Sequence, residues 1–239
     1  MTAATIFTLE AQERLKRYLN RPGYIIPVGL GTRDAACSIA AINIAINGRL
    51  TECTPECMSV AIARWILHVQ DTMPAEMRNS REWKAALVRA AGTGRALERE
   101  RERLDILFDW MWVTVLPFLQ PLADARGSGT EWRRMCTERS EDAASVAAGS
   151  MSKVTYSAAQ AADYAAQATR SAELTTDPYA IAAAMSGMGI YDAATTVAKV
   201  AGVSALAYVF PRVAWEQFDP IGLLERLVAV SEPSHWRQS

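Results

Sequence analysis

The run from Ala35 to Ile46, Ala-Ala-Cys-Ser-Ile-Ala-Ala-Ile-Asn-Ile-Ala-Ile, leaves the chain few ways to fold. Thr32 and Asp34 are N-cap candidates before it and Asn47-Gly48 is a left-handed stop after it, so the run reads as a helix. Apolar side chains surround its axis, with only Ser38 and Asn43 polar, and a helix apolar all round belongs at the centre of a bundle. Its alanines keep the cylinder thin, which lets neighbours approach near the short end of the usual roughly 8–10 Å separation.

A chain of 239 residues, half of them apolar, has enough material for one large domain or two small ones. Residues 1–140 carry 19 Lys and Arg against 16 Asp and Glu, and residues 141–239 carry 6 against 10. Neither part is basic enough to be read as a nucleic-acid surface. Cys37, Cys53, Cys57 and Cys136 are too few for a secreted disulfide scaffold, and the N-terminus lacks the basic and apolar regions of a secretion signal. The apolar run between Lys199 and Pro211 is far shorter than the roughly 20 residues that span a bilayer. The expectation is a soluble cytoplasmic protein with no membrane partner.

Leu9 to Asn20 reads as an amphipathic helix with Leu9, Leu15, Tyr18 and Leu19 inward. Tyr24 to Val28 is extended at most, because Pro27 lacks a ladder donor and no second strand-like run follows to pair with it. Thr54-Pro55-Glu56 has the form of a helix start, and Met58, Ile62, Trp65, Ile66, Val69 and Met73 recur at helical spacing after it. Asn79-Ser80 caps a further helix with Trp83, Leu87 and Ala91 inward. From Arg95 a long helix opens with alternating charge, expected to be solvated, and turns apolar after Leu104 until Pro117. Gly127-Ser128-Gly129 is the best linker candidate.

From Ala143 to about Ala207 alanine dominates, with pairs at 158/159, 161/162 and 165/166 and with Tyr156 and Tyr164 eight apart. This predicts two long helices broken near Thr175 to Pro178 and packed as a hairpin; the competing reading is a low-complexity tail. Asp219-Pro220 starts a last amphipathic helix, Ile221 to Val230. The fold class expected is therefore all-α: a compact helical bundle over residues 1–126, followed by an alanine-rich helical region over 130–239.

Each chemical motif has a structural counter-reading. Gly29-Leu30-Gly31-Thr32 and Gly92-Thr93-Gly94-Arg95 could cradle an anion ahead of a helix, or be plain turns that need positive φ. Cys37 near a helix N-terminus, with His68 as base, could form a nucleophilic pair; a buried structural thiol is the favoured reading. Cys53, Cys57 and His68 invite a zinc site, but a fourth ligand at recognisable spacing is missing. Glu98, Glu102, Asp105 and Asp109 follow one another at spacings of four, three and four, so they share a helix face. They could serve a metal-dependent hydrolase, although Arg95, Arg99 and Arg103 run alongside as in a salt-bridged surface.

The segment Gly31-Thr32-Arg33-Asp34-Ala35-Ala36-Cys37-Ser38-Ile39-Ala40-Ala41-Ile42-Asn43 is continued by Pro55-Glu56-Cys57-Met58-Ser59, Arg64-Trp65-Ile66 and Val69-Gln70-Asp71, then by Met77-Arg78-Asn79-Ser80 and Ala91-Gly92-Thr93-Gly94-Arg95. It resembles a family of bacterial and phage proteins over roughly the first 140 residues. Members of that family carry an alanine-rich helical region of variable length afterwards. The resemblance implies a mobile-element context and carries over no catalytic or binding residue.

The leading functional expectation is a non-enzymatic interaction module that binds a protein partner or itself, without cofactor or metal. Its association surface is expected on the alanine-rich helices, at Ala158, Ala162, Ala165, Tyr156 and Tyr164, with Trp132 and Trp215 as aromatic anchors. A metal-dependent hydrolase using Glu98 to Asp109, and a Cys37-dependent hydrolase, are the alternatives.

Overall fold

The structure, a computed structural model, describes residues 7–152, 155–173, 188–207 and 211–230. It is all-α, and among the described residues it contains no strand, only an isolated antiparallel bridge between Gly31 and Ala36. Two compact units are present: Met1–Arg103 with Pro220–Ser239, and Leu104–Asp219. Their boundary falls within a helix, and Gly127-Ser128-Gly129 lies inside the second unit.

The first unit contains α1 (Leu9–Leu19), α2 (Ser38–Asn47), α3 (Val60–Thr72), the short α4 (Ala75–Arg78), α5 (Arg81–Ala90) and the start of α6 (Leu97–Trp110). The final helix of the described chain, Pro220–Ala229, also belongs here and packs on α3 and α5. Helix α2 is the expected centre: Ile39, Ala40, Ala41, Ile42 and Ala45 are buried, and α1 and α3 pack on it. It begins three residues later than the capping pattern predicts. Thr32 and Ala35 bond each other's backbone in a tight turn, and Cys37 is the N-cap, its Sγ accepting from the Ala40 amide at 3.4 Å. Gly48, with φ +73°, ends the helix as expected.

Helix α3 likewise starts late. Thr54-Pro55-Glu56 opens only a turn closed by the Met58 amide on the Pro55 carbonyl, and Ser59 is the N-cap, accepting from the Ile62 amide. Leu9, expected inward, is exposed, whereas Leu15 and Leu19 are buried.

Buried polar side chains tie the loops of this unit to its helices. The extended segment at Ile26 has no partner strand; its N–H donates to Asn79 Oδ1 at 2.6 Å and its carbonyl accepts from Arg78 Nε at 2.9 Å. Arg78 also donates to the Gln70 and Met73 carbonyls, so one buried guanidinium anchors the loop to the end of α3. The first half of α6 departs from the solvated expectation, because Glu100 and Arg103 are buried. Arg103 Nη1 meets Glu100 Oε1 at 2.6 Å, while Glu100 Oε2 accepts from the Ala61 amide in the first turn of α3 at 2.9 Å. Arg103 further donates to the carbonyls of Thr93, Gly94 and Leu227.

In the second unit, α6 passes into a π-helical turn, Met111–Val115, followed by α7 (Leu116–Phe118) and α8 (Gln120–Ala125). Pro117 has no N–H to offer the Val113 carbonyl, and the Leu116 amide reaches back to Met111, so a widened turn carries the chain past the proline. Helices α9 (Gly129–Glu138), α10 (Glu141–Met151), α11 (Tyr156–Glu173), α12 (Met188–Leu206) and α13 (Pro211–Phe218) complete the unit, and the last helix of the first unit, Pro220–Ala229, is α14.

Among the described residues the alanine-rich region holds three helices, α10, α11 and α12, where two were expected, and α11 and α12 pack on each other as the expected hairpin would. Helix α11 packs on both α10 and α12, and the expected break near Thr175 to Pro178 lies outside the described residues. Gly127-Ser128-Gly129 is not a loose linker. Ser128 is buried, its Oγ accepts from Ser150 Oγ at 2.7 Å, and Gln120 Nε2 donates to the Gly129 carbonyl. Among the described residues no helix is long and apolar enough to cross a membrane.

Candidate functional site

The connection from Gly48 to Ser59 between α2 and α3 exceeds the roughly 2–8 residues usual between packed helices. It folds back beside the C-terminal end of α2 and leaves a groove of about 870 Å³. The groove lies wholly within the first unit and is lined by Arg33, Asn43, Asn47, Arg49, Thr51 and Glu56, with Ile46, Leu50, Cys53, Thr54 and Pro55 completing it.

Three side chains hold its shape. Asn43, one of the three polar residues in the central helix, is buried and its Nδ2 donates to the Thr51 and Cys53 carbonyls at 2.9 and 2.8 Å. Arg33 Nη1 donates to the Gly48 carbonyl at 2.9 Å, where the negative end of the α2 dipole favours a cation. From outside the lining, Arg95 Nη2 donates to the Thr54 and Pro55 carbonyls at 2.8 Å each. The loop backbone is thereby tied down before any ligand arrives, as is usual for binding sites. Among the described residues neither Arg33 nor Arg49 forms a salt bridge with a carboxylate, although eight other arginines do. Both line the groove.

Cys53 is the exposed thiol of the four and stands on the groove wall. Cys37 is fully buried, and burial pushes its thiol up to about 11 against the smaller downward pull of the Ala40 amide. That is the state of a packed thiol and the opposite of the depressed pKa that activates a nucleophile. Cys57 and Cys136 are also raised, chiefly by burial, Cys136 to about 11. His68 is half-buried on α3. Glu98, Glu102, Asp105 and Asp109 are each exposed on α6, and Asp109 meets Arg139 at 3.6 Å. Among the described residues no three His, Cys, Asp or Glu side chains are grouped so as to hold a metal.

Both glycine turns are satisfied from within. The Gly29 amide donates to Asp71 Oδ1 at 3.0 Å, and the Thr93 and Gly94 carbonyls face Arg103. The place an external anion would take on Gly29 is filled by the protein's own carboxylate.

The residues expected to form an association surface fall into two groups. Ala158, Ala162 and Ala165 have no exposed surface and pack inside the second unit. Trp132 and Trp215 are equally buried: the Trp132 indole donates to the Leu116 carbonyl at 2.8 Å, and Trp215 meets Phe218 edge-on with centroids 5.6 Å apart. They are core residues rather than anchors for a partner, because their short helices need large side chains to fill the space between them. Tyr164 is half-buried, its hydroxyl accepting from Gln160 and its ring 5.6 Å from Lys199 Nζ. Tyr156 alone of the group is open to solvent, at 78% exposure.

Arg33, Arg49, Asn47, Thr51 and Thr54 carry no recognisable motif. The signal available for them is the length and polarity of the Gly48–Ser59 connection, since long ordered loops on rigid helices are where binding residues gather. No protein-family model, curated protein or solved structure matches the chain.

Proposed function

We propose that the protein is a non-catalytic binding module that engages a protein partner through the groove between α2 and the Gly48–Ser59 loop. The observation that carries this reading is a pre-shaped groove of about 870 Å³ bearing two arginines without carboxylate partners. The raised Cys37 thiol and the dispersed acidic face of α6 supply no comparable arrangement for chemistry. In the mobile-element setting that the sequence resemblance implies, a cytoplasmic accessory that occupies a partner's surface would need such a groove and no catalytic group.

The test uses Cys53 as a built-in attachment point. A photocrosslinker is placed on it in a Cys136→Ser background, and in parallel on Cys at position 217 of a Cys53→Ser, Cys136→Ser, Gln217→Cys protein. The expected result is one adduct formed from source-cell lysate only through Cys53, identified by mass spectrometry and rebuilt with purified components as a stoichiometric complex. Adducts of the same proteins from both positions, or a captured protein that does not rebind when purified, would refute the reading.

A further inference from the structure

We infer that the groove takes an extended peptide segment presenting a single carboxylate, an Asp or Glu side chain, to Arg49 and Arg33. This rests on the binding-module reading above and specifies its occupant. A guanidinium offers five N–H donors in a planar fork that matches the two oxygens of a carboxylate. Arg33 spends one of them on the Gly48 carbonyl at 2.9 Å, where it also answers the helix end. Among the described residues the Arg49 side chain has no hydrogen-bond or ion-pair partner; only its backbone N–H is engaged, on Asn47 Oδ1 at 3.0 Å. Arg49 is therefore the charge held for a ligand, and Arg33 the second, partly committed one.

The rest of the lining limits what accompanies that carboxylate. Glu56 also lines the groove, and the two arginines supply fewer cations than a polyphosphate or a nucleic-acid backbone would engage, which fits one carboxylate. Asn47, Thr51 and Thr54 offer amide and hydroxyl groups suited to peptide N–H and C=O, and half-buried Ile46 and Leu50 give one small apolar contact. A volume near 870 Å³ is far more than a lone small acid fills.

The experiment selects peptides from a random dodecapeptide display library on the full-length protein, then measures each selected peptide by fluorescence polarisation. The expected outcome is that enriched peptides share an Asp or Glu, that its replacement by Asn or Gln abolishes binding, and that Arg49→Ala weakens it about tenfold or more. Arg49→Lys should recover part of the loss, raised salt should weaken wild-type binding, and Arg49→Ala should melt like the wild type because its side chain holds nothing in the protein. Free succinate should compete only at far higher concentration than peptide. Enriched peptides without an acid, or binding indifferent to Arg49→Ala, overturn the carboxylate occupant while leaving a peptide-binding module in place. Succinate competing as well as peptide overturns the peptide source in favour of a small acid. No enrichment at all overturns this inference, and the Cys53 crosslinking then decides separately whether the groove binds a partner.

Discussion

Removing Arg103, the more deeply buried of the first unit's two buried arginines among the described residues, should destabilise that unit more than any surface change. Arg103 has no exposed surface and Glu100 only 2%. In Arg103→Met the Glu100 carboxylate loses its counter-ion at 2.6 Å and keeps the Ala61 amide, while the carbonyls of Thr93, Gly94 and Leu227 lose a donor. Breaking such a buried pair from one side costs about 3–5 kcal/mol, mostly because a charge is left without compensation in a poorly polarisable interior. Glu100→Gln strands the guanidinium instead, but its three carbonyl acceptors soften the loss to about 2–3 kcal/mol. The double variant Arg103→Met, Glu100→Gln buries no charge, so its cost should fall short of the sum of the single costs by about 2 kcal/mol or more. Because the chain has two units, native-state hydrogen exchange at the Ala61 amide, which Glu100 holds, is a better reporter than a global melt. Supporting urea titrations would give the size of each effect. If Arg103→Met costs less than about 1 kcal/mol, or the two substitutions add without coupling, the assignment of this pair as the tie between α3, α6 and the α14 carbonyl is refuted.

Three further outcomes are expected. Cys37 and Cys136 ionise near 11 in the folded chain against an ordinary value of 9.0, so their contribution to stability is complete below about pH 9 and is lost as pH rises through about 11. The melting temperature should fall across that window and fall less steeply in Cys37→Ala; equal slopes would show that the thiol is not the group responsible. Gly31→Ala should cost clearly more than Gly23→Ala in denaturant titrations. Both positions have positive φ, worth about 1–2 kcal/mol against an L side chain, but only at Gly31 would the new methyl strike the Ala35 carbonyl and Pro27. Ala162→Leu should destabilise the second unit by about 1–3 kcal/mol through overpacking, read by calorimetry, while leaving any association through the groove unchanged; a neutral substitution would mean that Ala162 is accessible.

The all-helical class was legible in the sequence because it follows from local pattern: apolar spacing of three and four, proline at helix starts, and no second alternating run to pair with Tyr24 to Val28. The burial of α2 was legible for the same reason, since a helix with no polar face can sit nowhere else. Capping residues were less so. Thr32, Asp34 and Thr54 have the right chemistry, yet Cys37 and Ser59 take the N-cap positions, because the preceding residues are drawn into turns by backbone bonds of their own.

What only the tertiary structure decided concerns groups whose role depends on distant partners. Glu100 and Arg103 read as part of a solvated charge run, and their burial arises because the Ala61 amide and the Leu227 carbonyl, distant from them in sequence, converge on them together with the nearby Thr93–Gly94 turn. Ala158, Ala162 and Ala165 lack charge in the sequence whether they face a partner or another helix of the chain, and the packing of α10 and α12 on α11 assigns them to the interior. Arg33 and Arg49 look like ordinary surface cations until Asn43 folds the Gly48–Ser59 loop back beside them, because a groove belongs to the space between elements rather than to any one of them.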